Sequence, residues 1–243
     1  MSVHSETAFS VRDLRRRWKP YKLRLLENGG EQPTSIRFHR ACSWLDRVEK
    51  YDESEDLDLR LIGLWVGFNA LYGQWNEDKR EPEGDRESWR FFVDRLLGLD
   101  ESNYLADALS ANKRLVMTLL EDEYLSSFFW QDPCTKRAGQ SRKAKYNAQG
   151  WYVEKRWTMI LDETLERIYL MRCQLVHGAA TYGGKLNRMS LKHCVWMLRK
   201  ILTAFLLVWI DHGVDQDWGP MCYPPLKQEE DNGQHRYHVG KPR

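Results

Sequence analysis

One short stretch of the chain carries two side chains that could together cleave RNA. Arg172-Cys173-Gln174-Leu175-Val176-His177-Gly178 closes a long segment with helical apolar spacing. Arginine offers a fixed fork of donors for a phosphate, and histidine can take or give the proton of a hydroxyl near neutral pH. Neither task requires a metal ion. Arg172 and His177 lie about 140° apart around a helix after one full turn, so they share a cleft only if the helix ends at Gly178.

Other interpretations of these residues remain open. Arg172 can be a surface arginine, and His177 can be a helix-terminal histidine that interacts favourably with the helix dipole. Cys173 and His177 could form a zinc site with His193 and Cys194, but adjacent residues on one helix point about 100° apart. A Cys173 thiol nucleophile would lack an Asn or Asp to orient its histidine. We therefore predict no metal and no cofactor.

The elements that must position this pair are predicted to be helices. Apolar residues recur at three- and four-residue spacing, and alternating patterns typical of strands are scarce. The prediction is an all-α helical bundle with a variable helical or loop insertion at about 76–150. It divides the chain into an N-terminal extension (1–34), a helical domain (35–213) and an irregular tail (214–243). Helices are expected at about 35–51, 57–74, 89–97, 105–129 (one or two), 152–176 and 190–211, with a basic loop at 131–149.

Composition excludes several classes of protein. The 243 residues are 42% hydrophobic with a net charge of +2, which fits one large domain with a core and excludes disorder of the whole chain. Five scattered cysteines without a CxxC pair make a disulfide framework or a zinc ribbon unlikely. The longest apolar stretch, Ile201 to Ile210, is far shorter than the ~20 residues of a membrane span. No apolar signal-peptide core is present, so we expect a cytoplasmic protein without a membrane partner.

Two basic segments are candidate contacts for an RNA backbone. One is the N-terminal VRDLRRRWKPYKLR, and the other is the basic loop with Tyr146 and Trp151 nearby. Aromatic side chains beside cations could stack bases, although solvated charge is the default interpretation of such runs. The cations proposed to bind RNA in the basic loop are Lys136, Arg137, Arg142, Lys143 and Lys145.

Three features give the chain a resemblance to the HEPN superfamily. RCQLVHG resembles the Arg-x4–6-His motif of that family, here Arg172-x4-His177. LWVGFNALYG, from Leu64 to Gly73, resembles the core helix of one HEPN branch. That helix, a variable insertion, the motif helix and a final apolar helix follow in the expected order, over about 35–211.

The resemblance implies a dimeric, HEPN-like helical bundle whose paired motifs form a composite, metal-independent ribonuclease site. Arg172 would bind the scissile phosphate, and His177 would act as general base or acid. Members of the family are often toxins of toxin–antitoxin or phage-defence systems, which implies RNA, a second copy, and an antitoxin or sensor protein as partners. Cys173 departs from the polar residue that often follows the arginine, and Gln174 is a candidate for the missing hydrogen bond. No role is carried over to Tyr182.

Asn69, in the resembling core helix, is either a polar residue that bonds a neighbouring helix or an orienting residue near the Arg/His cleft. The predicted function is a homodimeric endoribonuclease that leaves a 2′,3′-cyclic phosphate. The alternative is a non-catalytic, HEPN-like module for RNA or protein binding or for dimerisation, which Cys173 favours.

Overall fold

The structure, a computed structural model, is a bundle of helices with one small hairpin. It describes residues 9–27, 32–52, 56–132 and 134–223, and the side chains of these residues except 135–138, 140 and 141. The all-α prediction is confirmed. The elements are α1 (Val11–Glu27), α2 (Pro33–Val48), α3 (Leu57–Tyr72), β1 (Trp75–Asn76), β2 (Glu81–Pro82), α4 (Asp85–Leu99), α5 (Tyr104–Ala111), α6 (Lys113–Glu121), a 3-10 turn (Glu123–Leu125), α7 (Ser127–Gln131), α8 (Thr135–Val153), α9 (Trp157–Val176) and α10 (Arg188–His212).

The core forms around α3 and α10. Both helices bury apolar side chains on most sides, and the Phe68 ring of α3 stacks on the Phe205 ring of α10 with centroids 5.3 Å apart. By length and composition α10 is the one helix of the described chain that could cross a membrane. The bundle buries 72% of its apolar window, which is the situation of a core helix.

Glycines let α2 and α3 approach closely. A Cβ atom at Gly63 would lie 2.7 Å from Cγ2 of Val48, and one at Gly67 would lie 3.4 Å from the backbone oxygen of Ala41. At 2.7 Å, either the Val48 side chain or one of the two helices has to shift before a larger residue fits at position 63. The close packing of α2 against α3 therefore depends on a glycine at position 63.

The N-terminal extension contains a helix that the sequence analysis did not predict. On α1, Val11, Leu14, Trp18 and Leu25 are buried, and the Trp18 ring stacks on Phe38 at 4.5 Å. The spacing of these four residues is helical, but the five arginines and two lysines between them dominate the local composition. Within the described residues, the bundle therefore begins at Val11.

The predicted basic loop at 131–149 is wrong, because α7 ends and α8 begins there. Lys, Arg, Gln and Ala fill α8, and these residues have high intrinsic helix propensity. The apolar stripe is nearly absent, with Ala148 and Tyr152 as its most buried members, so periodicity gave no signal. The predicted helix at 152–176 also starts later, at Trp157, because Lys155 takes a left-handed conformation (φ 55°) and separates α8 from α9.

The described part of the tail, 213–223, packs on the bundle. Trp218 is buried and stacks on Trp209 of α10, and its indole N–H donates to the Gly213 carbonyl at 2.9 Å. The tail also forms a single bridge with the chain after α3, between Gln74 and Met221. The rest of the predicted irregular tail lies outside the described residues.

A buried arginine joins α2, the end of α3 and the tail. The Arg37 guanidinium, 1% exposed, donates to the carbonyls of Leu71 at 2.9 Å and Gly73 at 2.7 Å. It also donates to the carbonyls of Gly219 and Pro220, each at 3.3 Å. Burial lowers the pKa of Arg37 to about 10, so the side chain stays charged at neutral pH. It donates to carbonyls at the end of α3 and in the tail, where buried acceptors need partners.

Candidate active site

The helix that carries the motif ends where the sequence predicted. Gly178 has a left-handed conformation (φ 72°), and its N–H donates to the Leu175 carbonyl at 3.2 Å. The N–H of Ala179 donates to the Gln174 carbonyl at 2.8 Å. These two bonds form a Schellman ending. His177 is the C-cap residue of α9, and its side chain is exposed to solvent.

Arg172 lies five residues earlier and faces the first turn of α4. Its side chain is 23% exposed, and Nη2 is 3.8 Å from Oδ2 of Asp85. The hydroxyl of Tyr72, at the end of α3, donates to Oδ1 of the same carboxylate at 3.1 Å. The guanidinium also lies 5.9 Å from the centre of the Tyr169 ring. The arginine is therefore held between two helices while part of its surface stays open.

Sequence reasoning missed Asp85 and gave Tyr72 only a place in the resembling core helix. Asp85 falls in a polar stretch between predicted helices, and no local pattern connects it to position 172. Burial raises the pKa of Tyr72 well above its ordinary value, with the Asp85 charge as the second cause. The phenol is therefore a neutral donor to Asp85 throughout the physiological range.

Ion pairs and an arginine–ring contact fix α4 against α9. Arg86 pairs with Glu166 at 2.6 Å and covers the Tyr169 ring at 4.9 Å. One turn later Arg90 pairs with Asp162 at 2.8 Å. The exposed pairs add little stability individually, but together they set the register of the two helices and thus the place of Asp85.

Gln174 points away from Arg172. Residues two apart on a helix are separated by about 200°, and Nε2 of Gln174 donates to the Tyr124 carbonyl at 2.8 Å. Cys173 Sγ is 4.0 Å from Nη1 of Arg172. The predicted catalytic support from Gln174 is therefore replaced by a bond that fastens the turn before α7 to α9.

Arg172 and His177 share the last two turns of α9, but no hydrogen bond joins them within the described residues. Asn69 lies one turn before the end of α3 and lines a cavity together with Tyr72 and Asp85. It is thus on the Asp85 side of the site, and no hydrogen bond joins it to Arg172 among the residues that the structure describes. Within one chain, Arg172, His177 and Asn69 therefore lie near one another but do not form a single hydrogen-bonded site.

The two basic segments differ in how their charges are used. On α1, Arg15, Arg16, Arg17 and Arg24 each pair with an aspartate. On α8, Lys145 pairs with Glu121 at 2.5 Å, whereas Arg142 and Lys143 are exposed and have no ion pair among the described residues. The side chains of Lys136 and Arg137 lie outside the described part of the chain.

The residues considered for zinc are not gathered into a site. Among the described residues, no group of three or more His, Cys, Asp or Glu side chains is arranged to hold a metal ion. Cys194 is fully buried, and burial raises the pKa of its thiol well above the ordinary value. Tyr182, for its part, is exposed and donates to Asp56 at 3.4 Å.

Comparison with known proteins adds no identification. The chain matches no protein-family model, no curated protein and no solved structure. The candidate site presents a partly exposed arginine, Arg172, and a solvent-facing histidine, His177, at the end of α9.

Proposed function

We propose that this protein is a metal-independent endoribonuclease of HEPN type that acts on RNA in the cytoplasm as a homodimer. The observation that carries the proposal is the end of α9, where Arg172 is partly open and His177 caps the helix with its ring in solvent. A toxin–antitoxin or phage-defence setting, with an antitoxin or sensor partner, belongs to the same proposal.

The chemistry is an attack of a ribose 2′-hydroxyl on the adjacent phosphorus. A histidine removes the hydroxyl proton, the new P–O2′ bond forms, and the P–O5′ bond breaks as the leaving oxygen takes up a proton. Arg172 stabilises the charge that develops on the phosphoryl oxygens. The products are a 2′,3′-cyclic phosphate and a 5′-hydroxyl end.

Base and acid require two histidines, and each chain supplies one in the motif. A two-fold dimer brings two copies of the same surface together. Apolar side chains at the motif end support such a contact: Val176 is 53% exposed, Trp130 49% and Leu186 89%. Trp130 and Leu186 also line a cavity of about 560 Å³ next to Gln174 and Leu175. Exposed apolar surface of this kind marks interaction sites.

The charges of α8 support RNA as the substrate. The 3-10 turn Glu123–Leu125 contacts both α8 and α9. Gln174, near the end of α9, donates to the Tyr124 carbonyl in this turn, and Lys145 of α8 pairs with Glu121 just before it. The basic N-terminal half of α8 therefore lies toward the end of α9 that carries the motif. Arg142 and Lys143 are available there for phosphates, while four of the five arginines of α1 pair with aspartates.

The test is cleavage of total cellular RNA in EDTA by wild-type protein, Arg172→Ala and His177→Ala. Exposed residues of the same types outside the motif, His39 on α2 and Arg114 on α6, provide matched controls as His39→Ala and Arg114→Ala. We expect cleavage by wild type and both controls, and a loss of at least ~100-fold in each motif variant. Cleavage by both motif variants at the wild-type rate would overturn the mechanism.

Expression provides an independent readout. An active ribonuclease should be toxic to its host unless Arg172 or His177 is replaced, whereas a binding module should be tolerated in every form. A dimer that binds RNA, cleaves none in EDTA and is not toxic to its host would favour the non-catalytic alternative. In that case the ion pair with Asp85 would keep the charge of Arg172 neutralised.

A further inference from the structure

A cavity of about 330 Å³ lies beside the arginine site and has no role in the mechanism above. Its volume is at the small end of the range for ligand sites. The walls come from α2, the end of α3, the hairpin and the last described residues of the tail. The polar and aromatic residues that line it include Arg40, Trp44, Asn69, Glu83, Asp85 and Tyr223.

Asp85 connects this cavity to the proposed phosphate site. Its carboxylate lines the cavity and is also 3.8 Å from the Arg172 guanidinium. A phosphate held by Arg172 would therefore lie one side chain away from the cavity. In a nucleotide the base is separated from its phosphate by a single sugar, so the neighbouring base is the group that can enter.

The charge of the walls disfavours phosphate and favours hydrogen-bond donors. Glu83 and Asp85 contribute two carboxylates. Among the described lining residues the cation is Arg40, and it donates to the backbone carbonyls of Cys222 at 3.2 Å and Tyr223 at 2.8 Å. Oε1 of Glu83 accepts from Asn76 at 2.6 Å. Because each carboxylate oxygen can accept more than one hydrogen bond, both oxygens of Glu83 can still accept from a ligand. A ligand in this cavity is therefore best matched if it is neutral and carries N–H groups.

Aromatic surface completes the fit to a nucleobase. The Trp44 ring is 41% exposed on the α2 wall, and unstacked RNA bases stack on such rings while their edges bond to polar side chains. Guanine presents an adjacent ring N–H and amino group, which match the two oxygens of one carboxylate. Uracil offers mainly acceptors on that edge and would face carboxylate oxygens.

We propose that this cavity is a base subsite that selects guanine on the 5′ side of the cleaved phosphate, a proposal that rests on the proposed function. Trp44 stacks the base, Glu83 accepts from its Watson–Crick edge, and the Asn69 amide bonds to the remaining polar atoms. The cleaved RNA then ends in a guanosine 2′,3′-cyclic phosphate.

Binding and cleavage are measured separately. His177→Ala protein is titrated calorimetrically with guanosine 3′-monophosphate and uridine 3′-monophosphate. The guanine nucleotide should bind about tenfold more tightly, a difference of ~1.4 kcal/mol. Adding Trp44→Ala or Glu83→Gln should bring the two affinities within about twofold of each other. Trp196→Ala is the matched control, because Trp196 is also 41% exposed but lies on α10 outside the cavity.

Equal affinity for the two nucleotides, or equal effects of Trp44→Ala and Trp196→Ala, would overturn the subsite. Since Trp44 also packs against α3, Glu83→Gln on the hairpin gives the same test without a core contact. Sequencing of RNA ends made by wild-type protein should show guanosine enriched at the 3′ ends, and the ends that Glu83→Gln makes should lack this enrichment. Guanine-selective binding by a protein that cleaves no RNA would leave the cavity assignment standing and reject the ribonuclease.

Discussion

The rings of Trp209 and Trp218 stack with centroids 4.5 Å apart and an interplanar angle of 15°. This contact ties the segment after α10 to the core, and Arg95 covers the outer face of Trp218 at 4.9 Å. We expect Trp218→Ala to destabilise the protein by about 3–5 kcal/mol, as for other buried aromatic residues. Urea unfolding of Trp218→Ala measures this. The control is Tyr223→Ala, which removes a 69% exposed ring and should shift the free energy of unfolding by less than about 0.5 kcal/mol. An equal loss of stability in both variants would contradict the role of Trp218 as a buried core residue.

Two glycine substitutions should change stability in opposite directions. A Cβ at Gly63 meets Val48 at 2.7 Å, while one at Gly150 on α8 meets nothing within 4 Å. Gly63→Ala should cost about 1–3 kcal/mol from overpacking. Gly150→Ala should add about 0.5–1 kcal/mol because alanine favours the helix interior. Thermal unfolding of both variants gives the comparison, and destabilisation by Gly150→Ala would argue against a helix at 135–153.

Gln174→Ala should leave RNA cleavage within about twofold of wild type, because its amide serves the Tyr124 carbonyl rather than the arginine site. Loss of that donor should cost about 1 kcal/mol of stability. Steady-state cleavage and urea unfolding of the same preparation separate the two effects. A loss of turnover as large as that of His177→Ala, with unchanged stability, would return Gln174 to the catalytic group.

Glu163 on α9 gives a pH-dependent prediction. Burial raises the pKa of its carboxyl above the ordinary value, and the Arg167 charge opposes that shift without cancelling it. A raised folded-state pKa contributes stability below the unfolded value, about 4.5, and this contribution is lost as pH rises through the folded-state value. Glu163→Gln should therefore be more stable than wild type at pH 7 and nearly equal to it at about pH 3.5. Urea midpoints at the two pH values test this, and a larger advantage at the acidic pH would be the wrong sign.

The sequence predicted most of the core because its apolar residues recur at helical spacing or, in α3 and α10, fill most sides of the helix. The Phe68 and Phe205 helices and the stop at Gly178 have local signals, namely apolar spacing and a glycine. The α8 helix has no such signal, because it forms from residues of high helix propensity and has almost no stripe of buried apolar side chains. The break at Lys155 was missed because a lysine occupies a left-handed position where glycine is usual.

Only part of the candidate site could be predicted from the sequence, for a related reason. Arg172 and His177 are five residues apart and form a local motif, whereas Asp85 reaches Arg172 through the packing of α4 on α9. Contacts between side chains 87 positions apart leave no trace in local spacing. The cavity beside Asp85 is still less predictable, because its walls join α2, α3, the hairpin and the tail.

Arg37 also sets an order of events during folding. Its bonds to Gly219 and Pro220 join groups 182 and 183 residues apart, whereas α2 and α3 are neighbours in the chain. Local helix pairs form early, and contacts that close long loops form late. We therefore expect the wall that the tail supplies to the cavity beside Asp85 to assemble last. During synthesis, the nascent chain would carry Arg172 and His177 outside the ribosome before the proposed base subsite is complete.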